Sequence, residues 1–271
     1  MDNFCGISQA ANDLIVSEET GGEAYYNATE LHPDWPGGMS GVTIGNGYDC
    51  GYATSDEIYA DWAGYLPTEA VQALQSVAGI HGSPAQSHAR ELHWITVPWD
   101  AAMAVFHERD LPKWVRICRN ALPNFDMLYP DQQGAEVSLT FNRGASFDLA
   151  GDRYKEMRNI KSHMAAQQFN LIPDEFLSMR RLWPEGGDLW KRRGHEAALF
   201  GRRVRGSAWW VQYSLNLIGA NPQLTVDGII SQGGQTQAAI RSFRLNAGLS
   251  DSSDVDEALC SAIDSHLPAN S

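Results

Sequence analysis

The chain has 271 residues, an apolar fraction of 43% with nine Trp, and a formal net charge of −13. That length favours two domains with cores of their own, and the charge argues against nucleic acid as a partner. No apolar run reaches the roughly 18–20 residues that cross a bilayer, so no membrane span is expected.

The opening MDNFCGISQAANDLIV lacks the basic n-region of a secretory signal, so the chain is expected to carry no export address of its own. Residues 8–20 read as a helix: Ile7, Ala11, Leu14 and Ile15 share a stripe, and Gly21-Gly22 supplies the stop. Residues 41–52 alternate like a short hairpin around Gly45-Asn46-Gly47. From about 55 to 205 the period is helical, with apolar stripes in AVQALQSVAGI, WDAAMAVFHERD, LPKWVRICRNAL and AEVSLTFN. No Lys or Arg precedes Arg90, and basic residues gather at Arg180, Arg181, Lys191, Arg192, Arg193, Arg202, Arg203 and Arg205. Such a run is either a solvated helix face or an attraction for an acidic polymer. A second unit starts near Gly206, with helices in WWVQYSLNLIG, TQAAIRSFRLNAGL and DSSDVDEALCSAIDSHL around the turn-rich ANPQLTVDGIISQGGQ. The expected fold is therefore mainly α. A helix bundle with a small N-terminal β-hairpin flap occupies 1–205, and a small three-helix domain occupies 206–271.

Two carboxylates in unlike surroundings, with a hydroxyl, are a minimal kit for cleaving a glycosidic bond with water. Glu18 and Glu19 both fall in the last turn of the first helix. There the negative end of the helix dipole disfavours a further negative charge, which suits a proton donor. Periodicity does not choose between them. A two-residue Asn46-Gly47 loop would put Thr43 and Asp49 on opposite faces of the hairpin. A three-residue Gly45-Asn46-Gly47 loop would set them directly opposite each other on one face, able to hold a single water.

The stretch LIVSEETGGEAYYN followed by WPGGMSGVTIGNGYDCGY resembles the N-terminal catalytic signature of phage-type lysozymes. The likeness is to the pesticin-like branch, which includes endolysins and type VI secretion muramidase effectors. That signature has a helix ending in Glu, a Tyr seven residues on, and SGVTIGxGYDxG. Counting back from Tyr26 makes Glu19 the family's acid and puts Tyr26 at the substrate. Thr43 precedes Asp49 by six positions as in this branch, whereas other members of the wider group carry Asp before Thr. SLTFNRGASF resembles the family's helix with an Asn-x-Gly turn, and LWKRRGHEAALF its late Arg-Arg…Glu-Ala helix. Asn142, Arg192 and Arg193 are thereby implied as glycan contacts, with structural ion pairing the alternative for the two arginines. Residues 209–263 resemble the three-helix peptidoglycan-binding domain of wall hydrolases, with Asp227-Gly228 at its turn and Phe243 and Leu259 in its core. Three features depart from that pattern: Ser231 for Gly, Arg244 for Gln, and an acidic approach to the last helix.

The resemblance implies a muramidase that cleaves the β-1,4 bond between N-acetylmuramic acid and N-acetylglucosamine by inversion. Glu19 would be the acid, Asp49 and Thr43 the holders of water, and no metal or organic cofactor would be used. Its substrate would be peptidoglycan, met in the target-cell periplasm or wall after delivery as a phage endolysin or an effector with an immunity protein or secretion-apparatus partner. A lytic transglycosylase and a non-catalytic wall-binding protein are the alternatives. Other chemistries fare worse. HEAAL at His195 lacks the second His of a zincin, since position 199 is Leu. His81, His88 and His93 lack ligand spacing. The sequence contains no GxSxG, P-loop or GxGxxG. Cys5, Cys50, Cys118 and Cys260 form no CxxC pair and read as separate thiols.

Overall fold

The computed structural model describes residues 4–268. By the contacts between residues the chain divides into two compact units, residues 4–5 with 12–115 and residues 6–11 with 116–268. Among the described residues the fold is mainly helical with one two-stranded antiparallel sheet, as the sequence led us to expect. Among the described residues no helix is long and apolar enough to cross a membrane. The expected boundary at 205/206 lies elsewhere than the division at 115/116.

Helix α1 spans Gln9–Thr20. Ala11 and Ile15 of the expected stripe are fully buried. The stop is local chemistry. The Thr20 hydroxyl donates to the Val16 carbonyl and accepts from Gly22 N–H, while Gly21 and Gly22 take φ of +66° and +89°. Helix α2 (Glu23–Thr29) follows, then a loop to strands β1 (Thr43–Ile44) and β2 (Tyr48–Asp49). Helices α3 (Ser55–Trp62), α4 (Thr68–Gln75), α5 (Ser83–Glu91) and α6 (Trp99–Val105) complete this unit's main elements. A capping box between Thr54 and Glu57 opens α3. The apolar core of the unit gathers Tyr26, Val42, Ile44, Ile58, Trp62, Leu74 and Val97. Where the period of WDAAMAVFHERD suggests one helix, the backbone widens into a π-turn over Phe106–Asp110 before helix α7 (Leu111–Ala121).

In the other unit, helices α8 (Pro130–Arg143), α9 (Lys155–Ala165), α10 (Ile172–Met179) and α11 (Asp188–Gly201) pack together, α11 lying against both α8 and α10. Helix α8 is buried from Asp131 to Thr140 although more than half of that stretch is polar. Its Gly134 is required by space, because a Cβ there would stand 2.0 Å from that of Ala11. Helices α12 (Ala208–Ile218), α13 (Gln235–Asn246) and α14 (Glu257–His266) enclose a separate cluster of Trp210, Val211, Leu215, Ile240, Leu259 and Ile263, with Phe243 packed on it. The Asp227-Gly228 turn is clamped by Gln212, whose amide oxygen accepts from both backbone N–H groups and whose amide nitrogen donates to Asp227. Two of the departures noted above answer each other. Buried Arg244 donates to Asp256 Oδ1 (2.8 Å) and to the carbonyls of Ser250 and Asp254, tying the acidic approach to α13.

Candidate functional site

The hairpin adopts the three-residue loop. Thr43 pairs with Asp49 and Ile44 with Tyr48, and Gly45 and Gly47 carry φ of +56° and +77°. Directly opposed residues of an antiparallel pair hold their Cβ atoms about 5 Å apart on one face. Thr43 and Asp49 therefore stand side by side, both half-buried. Between them the odd and even positions of the strands divide sharply. Ile44 and Tyr48 point into the core, where the Tyr48 hydroxyl donates to Asp61 (2.8 Å), Arg109 binds Asp61 (2.7 Å) and the Arg109 guanidinium lies 4.4 Å over the Tyr48 ring. Burial and the bond to Asp61 push the Tyr48 phenol above its ordinary range. This packing fixes the register that brings the polar pair out on the other face.

The Asp49 carboxylate is held by backbone. Gly41 N–H donates to both its oxygens (2.9 and 3.0 Å) and Gly51 N–H to Oδ1 (2.8 Å). Two donors leave acceptor capacity on a group that can take about four hydrogen bonds, enough for a water. The Thr43 hydroxyl makes one long contact, to the Gly41 carbonyl at 3.4 Å. Its lone pairs are thus available to a second donor. Both glycines are dictated by this cradle. A Cβ on Gly41 would come within 2.4 Å of Gly51 N and 2.5 Å of Asp49 Oδ1, and one on Gly51 within 2.7 Å of Gly41 Cα. Neither glycine is singled out by reading the motif for acids and hydroxyls. Their offsets from Asp49, eight before and two after, are the signal that could have found them.

Glu19 and Glu18 are half-buried in the last turn of α1, within the same unit as the hairpin. The other expected contacts fare differently. Tyr26 is a core residue. It is fully buried, its hydroxyl donates to the Val97 carbonyl (2.9 Å), and its ring meets Trp99 edge-on. Burial drives its phenol well above the ordinary value. A side chain so enclosed offers nothing to a substrate. Arg192 and Arg193 are likewise 2% and 0% exposed and serve as core ion pairs rather than glycan contacts. Both donate to Glu196 Oε1 (3.3 and 2.8 Å), and Arg192 also to the carbonyl and hydroxyl of Ser138. Asn142, half-buried, accepts from Arg193 at 3.4 Å. Beside them lies Glu136, fully buried, with neither carboxylate oxygen hydrogen-bonded. Burial and the Glu196 charge push its carboxyl far above the carboxylate range.

Asp110 closes the π-turn, and burial raises its carboxyl to about 6. Cys50, Cys118 and Cys260 are buried, and desolvation raises the Cys50 thiol to about 12, so none presents a ready thiolate. In the C-terminal segment a cavity of about 540 Å³ opens between α12 and α13, lined by Leu215, Ile218, Pro222, Ala239, Phe243 and Asn246 among others. Comparison with known protein families finds none whose model matches the chain, and comparison with curated proteins finds none that matches either.

Proposed function

We propose that this chain is a muramidase, hydrolysing the β-1,4 bond between N-acetylmuramic acid and N-acetylglucosamine in peptidoglycan. The observation that carries the reading is the cross-strand pairing of Thr43 with Asp49, with the carboxylate fixed by the Gly41 and Gly51 amides. A carboxylate held on one side and beside a hydroxyl is what a hydrolytic water needs to be oriented and deprotonated. Glu19 supplies the proton to the leaving oxygen from the end of α1. Water and acid then act on opposite faces of the sugar, and the anomeric centre inverts. Inversion asks for carboxyl groups roughly 6.5–9.5 Å apart. The C-terminal helices, with their open cavity, hold the enzyme on the wall. Delivery to a target-cell wall, as an effector with an immunity partner or as an endolysin, belongs to the same proposal.

Wall lysis by purified variants tests it. Glu19→Gln and Asp49→Asn each abolish release of soluble muropeptides, while Glu18→Gln retains it. Retained lysis in Glu19→Gln with loss in Glu18→Gln moves the acid by one residue. Binding to sacculi with no soluble product from the wild-type protein replaces the enzyme with a wall-binding protein.

A further inference from the structure

A second site lies one strand away from the Thr43–Asp49 pair. Asp34 bridges β1 through two backbone bonds with Thr43 (3.0 and 2.8 Å). It thereby borders the β1–β2 pair at the roughly 5 Å spacing of neighbouring strands. On that flank opens a cavity of about 160 Å³ lined by Asp34, Trp35, Gln86, Arg90 and His93. Its aromatic walls are fixed before any ligand arrives. The Trp35 indole N–H donates to the Ser40 carbonyl (3.0 Å), and His93 stacks on His32 at 4.5 Å, with His32 Nδ1 bonded to the Ile95 carbonyl (2.9 Å). Such walls cost little ordering on binding.

Its charges are opposed and unspent. Residues 12–115 hold fifteen acidic side chains against three basic ones, Arg90, Arg109 and Lys113. Arg109 is committed to Asp61. Among the described residues Arg90 makes no ion pair, with Asp34 or with any other acid, although both line the cavity. A carboxylate entering this acidic unit meets its cation here, and an ammonium meets Asp34 across the same opening.

We propose that this cavity binds a zwitterionic amino-acid centre, one bearing a free carboxylate and a free ammonium on the same carbon. The distal centre of the diamino acid in many peptidoglycan stem peptides has this chemistry. The identification of the ligand rests on the muramidase reading; the site itself rests on the cavity and its charges. Arg90 takes the carboxylate, Asp34 the ammonium, and Trp35 and His93 flank the aliphatic stem. A glycan cleaved at the hairpin would thus be selected by the peptide it carries.

Calorimetric titration of the intact protein with the free tripeptide L-Ala-γ-D-Glu-meso-diaminopimelate tests this. Its comparators are the same tripeptide amidated at the distal carboxylate, and the one with L-Lys in third position. Each comparator should bind roughly tenfold or more weakly, because one charged partner is left unmatched. Arg90→Gln should weaken the diaminopimelate peptide by a similar factor and leave the L-Lys peptide unchanged. Asp34→Asn should weaken both. Equal affinities for the three peptides, or affinities unmoved by both variants, overturn the proposal. These peptides contain no glycosidic bond. Loss of lysis with selective binding intact refutes only the catalytic reading, and lysis without peptide selectivity refutes only this one.

Discussion

Replacing Gly41 with Ala should dislodge Asp49 and abolish the catalysis proposed for the hairpin. The new Cβ would lie 2.4 Å from Gly51 N and 2.5 Å from both Gly51 Cα and Asp49 Oδ1. Two of these neighbours are backbone, so the strain cannot be relieved by turning a side chain. The backbone must separate, and the Gly41 N–H loses its contacts with both Asp49 oxygens. A hydrogen bond to a charged group contributes about 1.5–3 kcal/mol, and overpacking costs about 1–3 kcal/mol. A loss of stability of about 2–4 kcal/mol is expected. The effect on turnover is larger, because displacing a positioned group by about 1 Å costs roughly a hundredfold. Gly47→Ala is the internal control. Gly47 also has positive φ, yet a Cβ there meets nothing within 4 Å. It should cost about 1–2 kcal/mol of backbone strain and leave wall lysis nearly intact. Urea unfolding and initial rates of turbidity loss on purified sacculi measure both quantities. Gly41→Ala lysing within twofold of wild type, or Gly47→Ala losing as much as Gly41→Ala, would refute the cradle.

Three other expectations follow from the packing. Glu196→Gln leaves Arg192 and Arg193 facing an uncharged partner in the core and should cost about 3–5 kcal/mol in urea unfolding; an unchanged midpoint would contradict the assignment of these arginines to the core. Tyr26→Phe should cost only about 1 kcal/mol, the value of its bond to Val97, and leave lysis at wild-type rate. A steep fall in lysis at unchanged stability would return Tyr26 to the substrate. Asp110 gives a pH signature. Its folded-state value of about 6 stands above the unfolded value of about 3.9, so the folded chain holds the proton longer. This contribution is therefore full below pH ~4, falls as pH rises through about 6, and is level above. Asp110→Asn should flatten that part of the stability profile, by about 1–2 kcal/mol between pH 4 and 7. An unchanged profile would show that Asp110 is not desolvated.

Much of the architecture was legible in the alternation and period of the chain, and the losses have physical causes. The hairpin could be located from Gly45-Asn46-Gly47, but not its loop length. That choice belongs to Tyr48 and Ile44, whose burial against Trp62, Asp61 and Arg109 decides which face Thr43 and Asp49 share. The C-terminal helices followed from apolar period and turn residues. Their acidic approach makes sense only with Arg244, which contacts it from 6–12 positions earlier in the chain. Polar burial was legible only as an alternative. For Arg192 and Arg193 the sequence left glycan contact and structural ion pairing both open, because one of their partners, Ser138, lies on another helix more than fifty residues away. Tyr26 kept the right spacing from Glu19 for a site residue, yet lies on the inward side of α2. Spacing along one helix does not report which of its sides the rest of the chain will cover.

In the proposed chemistry Asp49 and Thr43 deliver a water to a glycosidic bond that Glu19 cleaves by protonation. Mass spectrometry of sacculi digested in oxygen-18 water addresses it most directly. Soluble muropeptides ending in reducing N-acetylmuramic acid, each carrying one labelled oxygen at the new end, are expected from the wild-type protein, and none from Glu19→Gln or Asp49→Asn. Unlabelled 1,6-anhydro ends, or labelled products undiminished in Asp49→Asn, would contradict it.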